Sequence, residues 1–119
     1  MEFSNAVRQV EGVSIVSLGG RVQLGDGTTT LREMAKALIG QGQKSVVLEM
    51  RNVTYIDSAG IGALVGFYTS LRNGGGELKL LSPSQRVRSQ LMMMKLFPIF
   101  EVFEDETAAV ASFTNAAGA

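Results

Sequence analysis

The run SVVLEM at residues 45 to 50 is almost continuously apolar. A strand with one solvated face alternates apolar and polar side chains, so this run reads as a strand covered on both faces or placed centrally in a sheet. Helical periodicity flanks it on either side. Leu31, Met34, Ala35, Leu38 and Ile39 recur at three-and-four spacing before it, and IGALVGFYTSL follows it. Strand alternating with helix implies parallel neighbours joined by right-handed crossovers.

The remaining elements follow from local signals. AVRQVEGVSIVSL reads as two strands folded back at Glu11-Gly12, an antiparallel hairpin. GGRVQLGDG reads as a glycine-rich loop, and Thr30 with Glu33 as a capping box opening a helix that stops at Gly40 and Gly42. A second helix is expected from Ser58 to Asn73, ended by three glycines, and ELKLL is the next strand. Ser82, Pro83 and Gln85 form another capping box for a helix with Val87, Leu91 and Met94 on its inner face. FEVF is a short last strand, and Asp105 caps a final helix carrying Val110 and Phe113. The expected architecture is a single α/β domain over residues 1–114, with a tail over 115–119 that frays. Its order is β-β-α-β-α-β-α-β-α, a mixed sheet of about five strands with about four helices.

Composition narrows the chemistry. The 119 residues carry eleven basic and eleven acidic side chains, so no net field favours nucleic acid or an anionic membrane. No stretch approaches the roughly 20 apolar residues of a membrane span. The N-terminal MEFSNAVRQV has no secretory pattern, and a cytoplasmic location is the expectation. The chain contains no histidine and no cysteine. A Ser-His-Asp triad lacks its base, and a typical zinc site lacks its preferred ligands. No catalytic residue, cofactor or metal is therefore expected.

The segment VTYIDSAGIGALVGF, residues 53 to 67, concentrates the chain's unusual features. Ser58 stands where a helix N-cap belongs, and Asp57 beside it complements the helix dipole. Ile61, Leu64, Val65, Tyr68 and Leu71 form the expected buried face. Ser58, Gly62, Gly66 and Thr69 trace a second face of small residues. An interior glycine costs about 0.8–1 kcal/mol relative to alanine, so the stripe needs a reason. Close packing within the fold and a smooth surface for another protein both supply one, and the sequence leaves both open. GIGALVG has GxGxxxG spacing, wrong for a dinucleotide-binding turn, and Asp57 would repel a pyrophosphate. A receiver-type phospho-aspartate at Asp57 lacks the acidic pair that would hold magnesium.

These residues resemble the STAS domains of bacterial anti-sigma-factor antagonists. The similarity is carried by DSAGIG at residues 57 to 62, by GGGELKLL, and by LFPIFEVFEDETAAV near the C-terminus. It implies a non-enzymatic partner-switching module whose serine, Ser58 here, is phosphorylated by a kinase that is also the anti-sigma factor. A serine phosphatase would reset it, and any ATP would belong to the kinase. Asp57, Ala59, Gly60 and Gly62 would surround the modified serine, with Gly66 and Thr69 continuing the docking face. Many members carry an acidic residue after the second strand that engages the kinase. Here Arg21 takes that position and Asp26 follows within GDG, making both candidates for setting partner choice. A weak homodimer is compatible with this class. A constitutive STAS subunit of a signalling scaffold or lipid-transport complex is one alternative, and a small nucleotide-binding or hydrolytic enzyme using Asp57 and Ser58 is a second, which the absence of histidine disfavours.

Two further stretches read as structural. MMMK at residues 92 to 95 is expected to fill core and groove, although exposed methionines would suit an adaptable binding surface. Arg86 and Arg88 are expected on a solvated helix face, without the aromatic interleaving of a nucleic-acid binder.

Overall fold

The computed structural model describes residues 3–118, with side chains described through Phe113; the tail expected over 115–119 lies outside the residues whose side chains are described. Strands β1 (Ser4–Val10), β2 (Val13–Val22), β3 (Ser45–Ile56), β4 (Glu77–Leu81) and β5 (Val102–Phe103) form one sheet in the order β1-β2-β3-β4-β5. β1 is antiparallel to β2 and every other pairing is parallel. Helices α1 (Asp26–Gly40), α2 (Ser58–Asn73), α3 (Gln85–Met93) and α4 (Glu106–Gly118) connect or follow the strands, and a short 3-10 turn spans Phe97–Ile99. The expected order and mixed sheet are borne out.

Local chemistry explains the joints. The hairpin closes at Glu11 (φ 49°) and Gly12 (φ 82°), two left-handed residues that match the twist of the paired strands. Asp105 caps α4 by accepting from the Ala108 N–H at 2.9 Å, as expected. SVVLEM is buried at Val46, Val47, Leu48 and Met50, because layers cover both faces of β3. On one face Val16, Val46 and Leu48 pack with Leu31, Leu64, Phe67, Leu71 and Leu91. On the other, Ile15, Val47 and Leu81 pack with Ala109 and Val110 of α4.

Four expectations are corrected. GGRV is not loop: Gly19, Gly20, Arg21 and Val22 pair with β3, which leaves only Gln23–Gly25 as connector. The register shifts at Ser17/Gly19 and Gly20/Arg21 accommodate this pairing. α1 consequently starts at Asp26, and the Thr30–Glu33 capping box is unused. Gly27 and Thr28 are buried there, so packing outweighs the cap preference. The cap of α3 is Ser84, which accepts from the Val87 N–H at 3.3 Å. Ser82 is taken up by the sheet end instead: its N–H donates to the Phe103 carbonyl at 2.7 Å and its hydroxyl to Glu104. Finally, Met92, Met93 and Met94 are 61%, 76% and 44% exposed, so the triplet is surface and Met94 is not on the inner face. Lys95, at φ 59°, turns the chain there so that Leu96 returns toward Leu91 in place of Met94.

Candidate functional site

The parallel strands β2 and β3 end side by side at Val22 and Ile56, and α2 begins two residues later. The residue at the cap is Asp57, not Ser58. Its Oδ1 accepts from the Gly60 N–H at 2.8 Å, while Oδ2 accepts from the Leu24 N–H at 3.1 Å. Burial works to raise the Asp57 carboxyl, but backbone donors Gly60, Leu24, Asp57 and Ala59 outweigh it and hold the carboxyl below its ordinary value. With Asp57 extended as N-cap, Ser58 becomes the first residue of the helix.

That shift by one position frees the serine. Ser58 is exposed, and among the described residues its hydroxyl makes no hydrogen bond. It faces outward from a helix N-terminus, where free N–H groups and the dipole favour an anion. It is also without a base: both oxygens of the adjacent carboxylate are engaged, and the lowered pKa makes that carboxylate a poor proton acceptor. Among the described residues no group of three or more acidic, histidine or cysteine side chains could hold a metal ion. The Ser58 hydroxyl is open to solvent, beside a carboxylate held by backbone donors.

The glycines divide into two kinds. A Cβ on Gly60 would lie 2.2 Å from the Val22 carbonyl oxygen and 2.8 Å from Ile56 Cγ1, so this residue lets α2 sit directly on the strand ends. Gly60 is buried, which corrects its expected place on the docking face. Gly62 and Gly66 are exposed, and a Cβ on either would meet nothing within 4 Å. Packing inside the fold therefore does not explain them. With exposed Ser58 and Thr69 they form the open stripe, and Ala59 is half-buried beside it.

The stripe borders a groove of about 570 Å³ between α1 and α2, floored by Ala35, Ile39, Ala63 and Phe67 and edged by Arg32 and Lys36. Across the strand ends, Arg21, Leu24 and Asp26 line a separate polar cleft of about 430 Å³. Asp26 is exposed in the first turn of α1 and Arg21 is exposed at the end of β2. Leu24, 80% exposed and tied to Asp57, was missed by the sequence reading. An apolar residue inside a turn-rich stretch was the available signal.

The STAS domain family model matches residues 5–109, and the chain belongs to the STAS-domain family. The anti-sigma F factor antagonist of Paenibacillus polymyxa is 28% identical over 99 residues, covering 83% of this chain and 85% of that protein. The anti-sigma-B factor antagonist of Bacillus subtilis is 31% identical over 87 residues, covering 73% and 78% respectively. The fold matches the anti-sigma factor antagonist SpoIIAA in its unphosphorylated form with a TM-score of 0.81 at 21% identity, covering 94% of this chain and 97% of that one. The phosphorylated form of SpoIIAA from Bacillus gives 0.74 at 20% identity, covering 92% and 99%.

Proposed function

We propose that this chain is an anti-sigma-factor antagonist regulated by phosphorylation of Ser58. The unmodified protein binds an anti-sigma factor that is also its serine kinase, which frees a sigma factor for transcription. Phosphorylation releases the antagonist, and a serine phosphatase returns it to the binding form. The chain itself is not an enzyme and works in the cytoplasm, where its partners act. No helix among the described residues is long and apolar enough to cross a membrane.

The observation that carries this reading is the division of labour between two adjacent residues. Asp57 holds the helix cap, so Ser58 is exposed with an unengaged hydroxyl. A phosphate placed there adds a charge of roughly −1.5 to −2 beside Asp57 while facing a helix N-terminus. The fold tolerates it, whereas a partner seated on the neutral serine meets repulsion and unpaired charge. Ala59, Gly62, Gly66 and Thr69 supply the surface over which that partner lies.

Affinity for the anti-sigma factor tests the reading. Ser58→Ala is expected to bind like the unmodified protein, and Ser58→Glu to bind at least roughly tenfold more weakly. Equal affinity of both variants favours a constitutive STAS subunit, in which Ser58 is only a helix residue.

A further inference from the structure

Tyr55, the penultimate residue of β3, is half-buried and has two guanidinium groups over its ring. Arg21 of β2 lies 4.8 Å from its ring centroid, and Arg86 of α3 lies 5.2 Å from it. Both arginines are exposed. Among the described residues, Arg8, Arg72 and Arg88 each pair with a glutamate, whereas Arg21 and Arg86, like Arg32 and Arg51, lie within ion-pair distance of no carboxylate. Asp26 lines the polar cleft with Arg21 without pairing to it, and the Asp57 carboxylate is engaged by backbone donors. The three stacked side chains come from three elements, and each element is fastened within one residue of Asp57. The Val22 carbonyl accepts from the Asp57 N–H at 3.4 Å, and Gln90 of α3 donates to the Ile56 carbonyl at 3.2 Å.

We infer that Arg21, Tyr55 and Arg86 form a preorganised cationic platform for an acidic segment of the protein that docks at Ser58. Stacking on a shared ring holds both planar forks in place without using their N–H donors, which remain available for carboxylates. An arginine already ordered loses less side-chain freedom on binding than a free surface arginine does. Position makes the occupant a protein: Tyr55 lies three residues before Ser58, and the three elements meet beside Asp57, so a protein large enough to cover that serine can reach the two cations. Charge complementarity then requires carboxylates on the overhanging part. The inference rests on reading Ser58 as the centre of the docking face, and deepens it by stating the chemistry of the partner.

A hexaglutamate peptide titrated into the full, isotopically labelled chain tests the platform without any partner. Resonances of Tyr55 and of the Arg21 and Arg86 side chains are expected to move together, and Arg21→Glu/Arg86→Glu to abolish the response. Arg21→Lys/Arg86→Lys should keep part of it. Arg32→Glu, which reverses a charge on the α1–α2 groove, should leave the response intact. A peptide that leaves these resonances unmoved overturns the inference, as does tighter binding of inorganic phosphate or a single-stranded oligonucleotide at the same place. With the anti-sigma factor as probe, the Arg21→Glu/Arg86→Glu variant should bind roughly tenfold more weakly and lose most of its salt dependence. Wild-type affinity in that variant counts against the platform alone; a wild-type chain that binds no anti-sigma factor counts against the phosphorylation reading.

Discussion

Asp57 and Leu24 are joined by a 3.1 Å hydrogen bond from the Leu24 N–H to the Asp57 carboxylate, whose other oxygen caps α2 through Gly60. One side chain thus fastens the β2–α1 connector to the helix that presents Ser58. Losing it is expected to loosen both. Asp57→Ala should lower stability by about 1 kcal/mol, the usual worth of an N-cap, and Asp57→Asn by less. Urea titration measures the difference.

The same carboxylate gives a pH signature. Its pKa in the folded protein lies below the ordinary value, so ionised Asp57 stabilises the fold in full above about pH 4. That contribution is lost as pH falls through the lower folded pKa. Glu106 behaves likewise, because the Arg8 side chain hydrogen-bonds its carboxylate and lowers its pKa. Asp57→Ala should therefore lose less stability between pH 5 and pH 2 than the wild type, as denaturation at stepped pH values would report.

The two kinds of glycine in α2 should respond in opposite directions. Gly60→Ala places a methyl against the Val22 carbonyl and should cost about 1–3 kcal/mol. Gly62→Ala and Gly66→Ala project into open space and should each stabilise by about 0.8–1 kcal/mol through helix propensity. The last two should nevertheless weaken anti-sigma factor binding, since they roughen the surface the partner approaches. Denaturation midpoints and binding isotherms on the same variants separate the effects.

The displaced caps are equally checkable. Ser84→Ala should lose about 1 kcal/mol, because its hydroxyl accepts from Val87 at the start of α3. Thr30→Ala should stay within about 0.5 kcal/mol of wild type, since Thr30 lies inside α1 and caps nothing. Thermal or urea unfolding distinguishes these from the reverse order that sequence patterns imply.

Much of this fold was legible because its elements carry their own punctuation. α2 runs from Ser58 to Asn73 as expected, between an Asp-Ser start and a glycine stop, and ELKLL is β4. What escaped was decided by tertiary contact. GGRV looks like loop by composition, yet β3 is long enough to pair with it. The buried face of α2 includes Ala63 and Phe67 besides Ile61, Leu64 and Leu71, because α1 covers a flank that a single sheet contact would leave open. Val65 and Tyr68, expected within that face, are half-buried at its edge. At the candidate site, the helix start was legible but the residue that caps it was not. Both Asp and Ser cap helices well, and only the extended backbone at Asp57 assigns the cap to the acid.

Because the cap belongs to Asp57, modification of Ser58 should alter an interface and not the fold. Amide shifts on phosphorylation should be confined to the first turn of α2 and the Gln23–Gly25 connector. Shifts spread through the sheet would mean refolding instead.

The most direct test is to incubate the full chain with its anti-sigma factor kinase and ATP, map the phosphate by mass spectrometry, and measure anti-sigma factor affinity before and after. The expected result is a single phosphate within residues 53 to 67, on Ser58, and affinity reduced by at least roughly tenfold. Phosphate placed elsewhere, or stoichiometric phosphate on Ser58 with affinity unchanged, would contradict it.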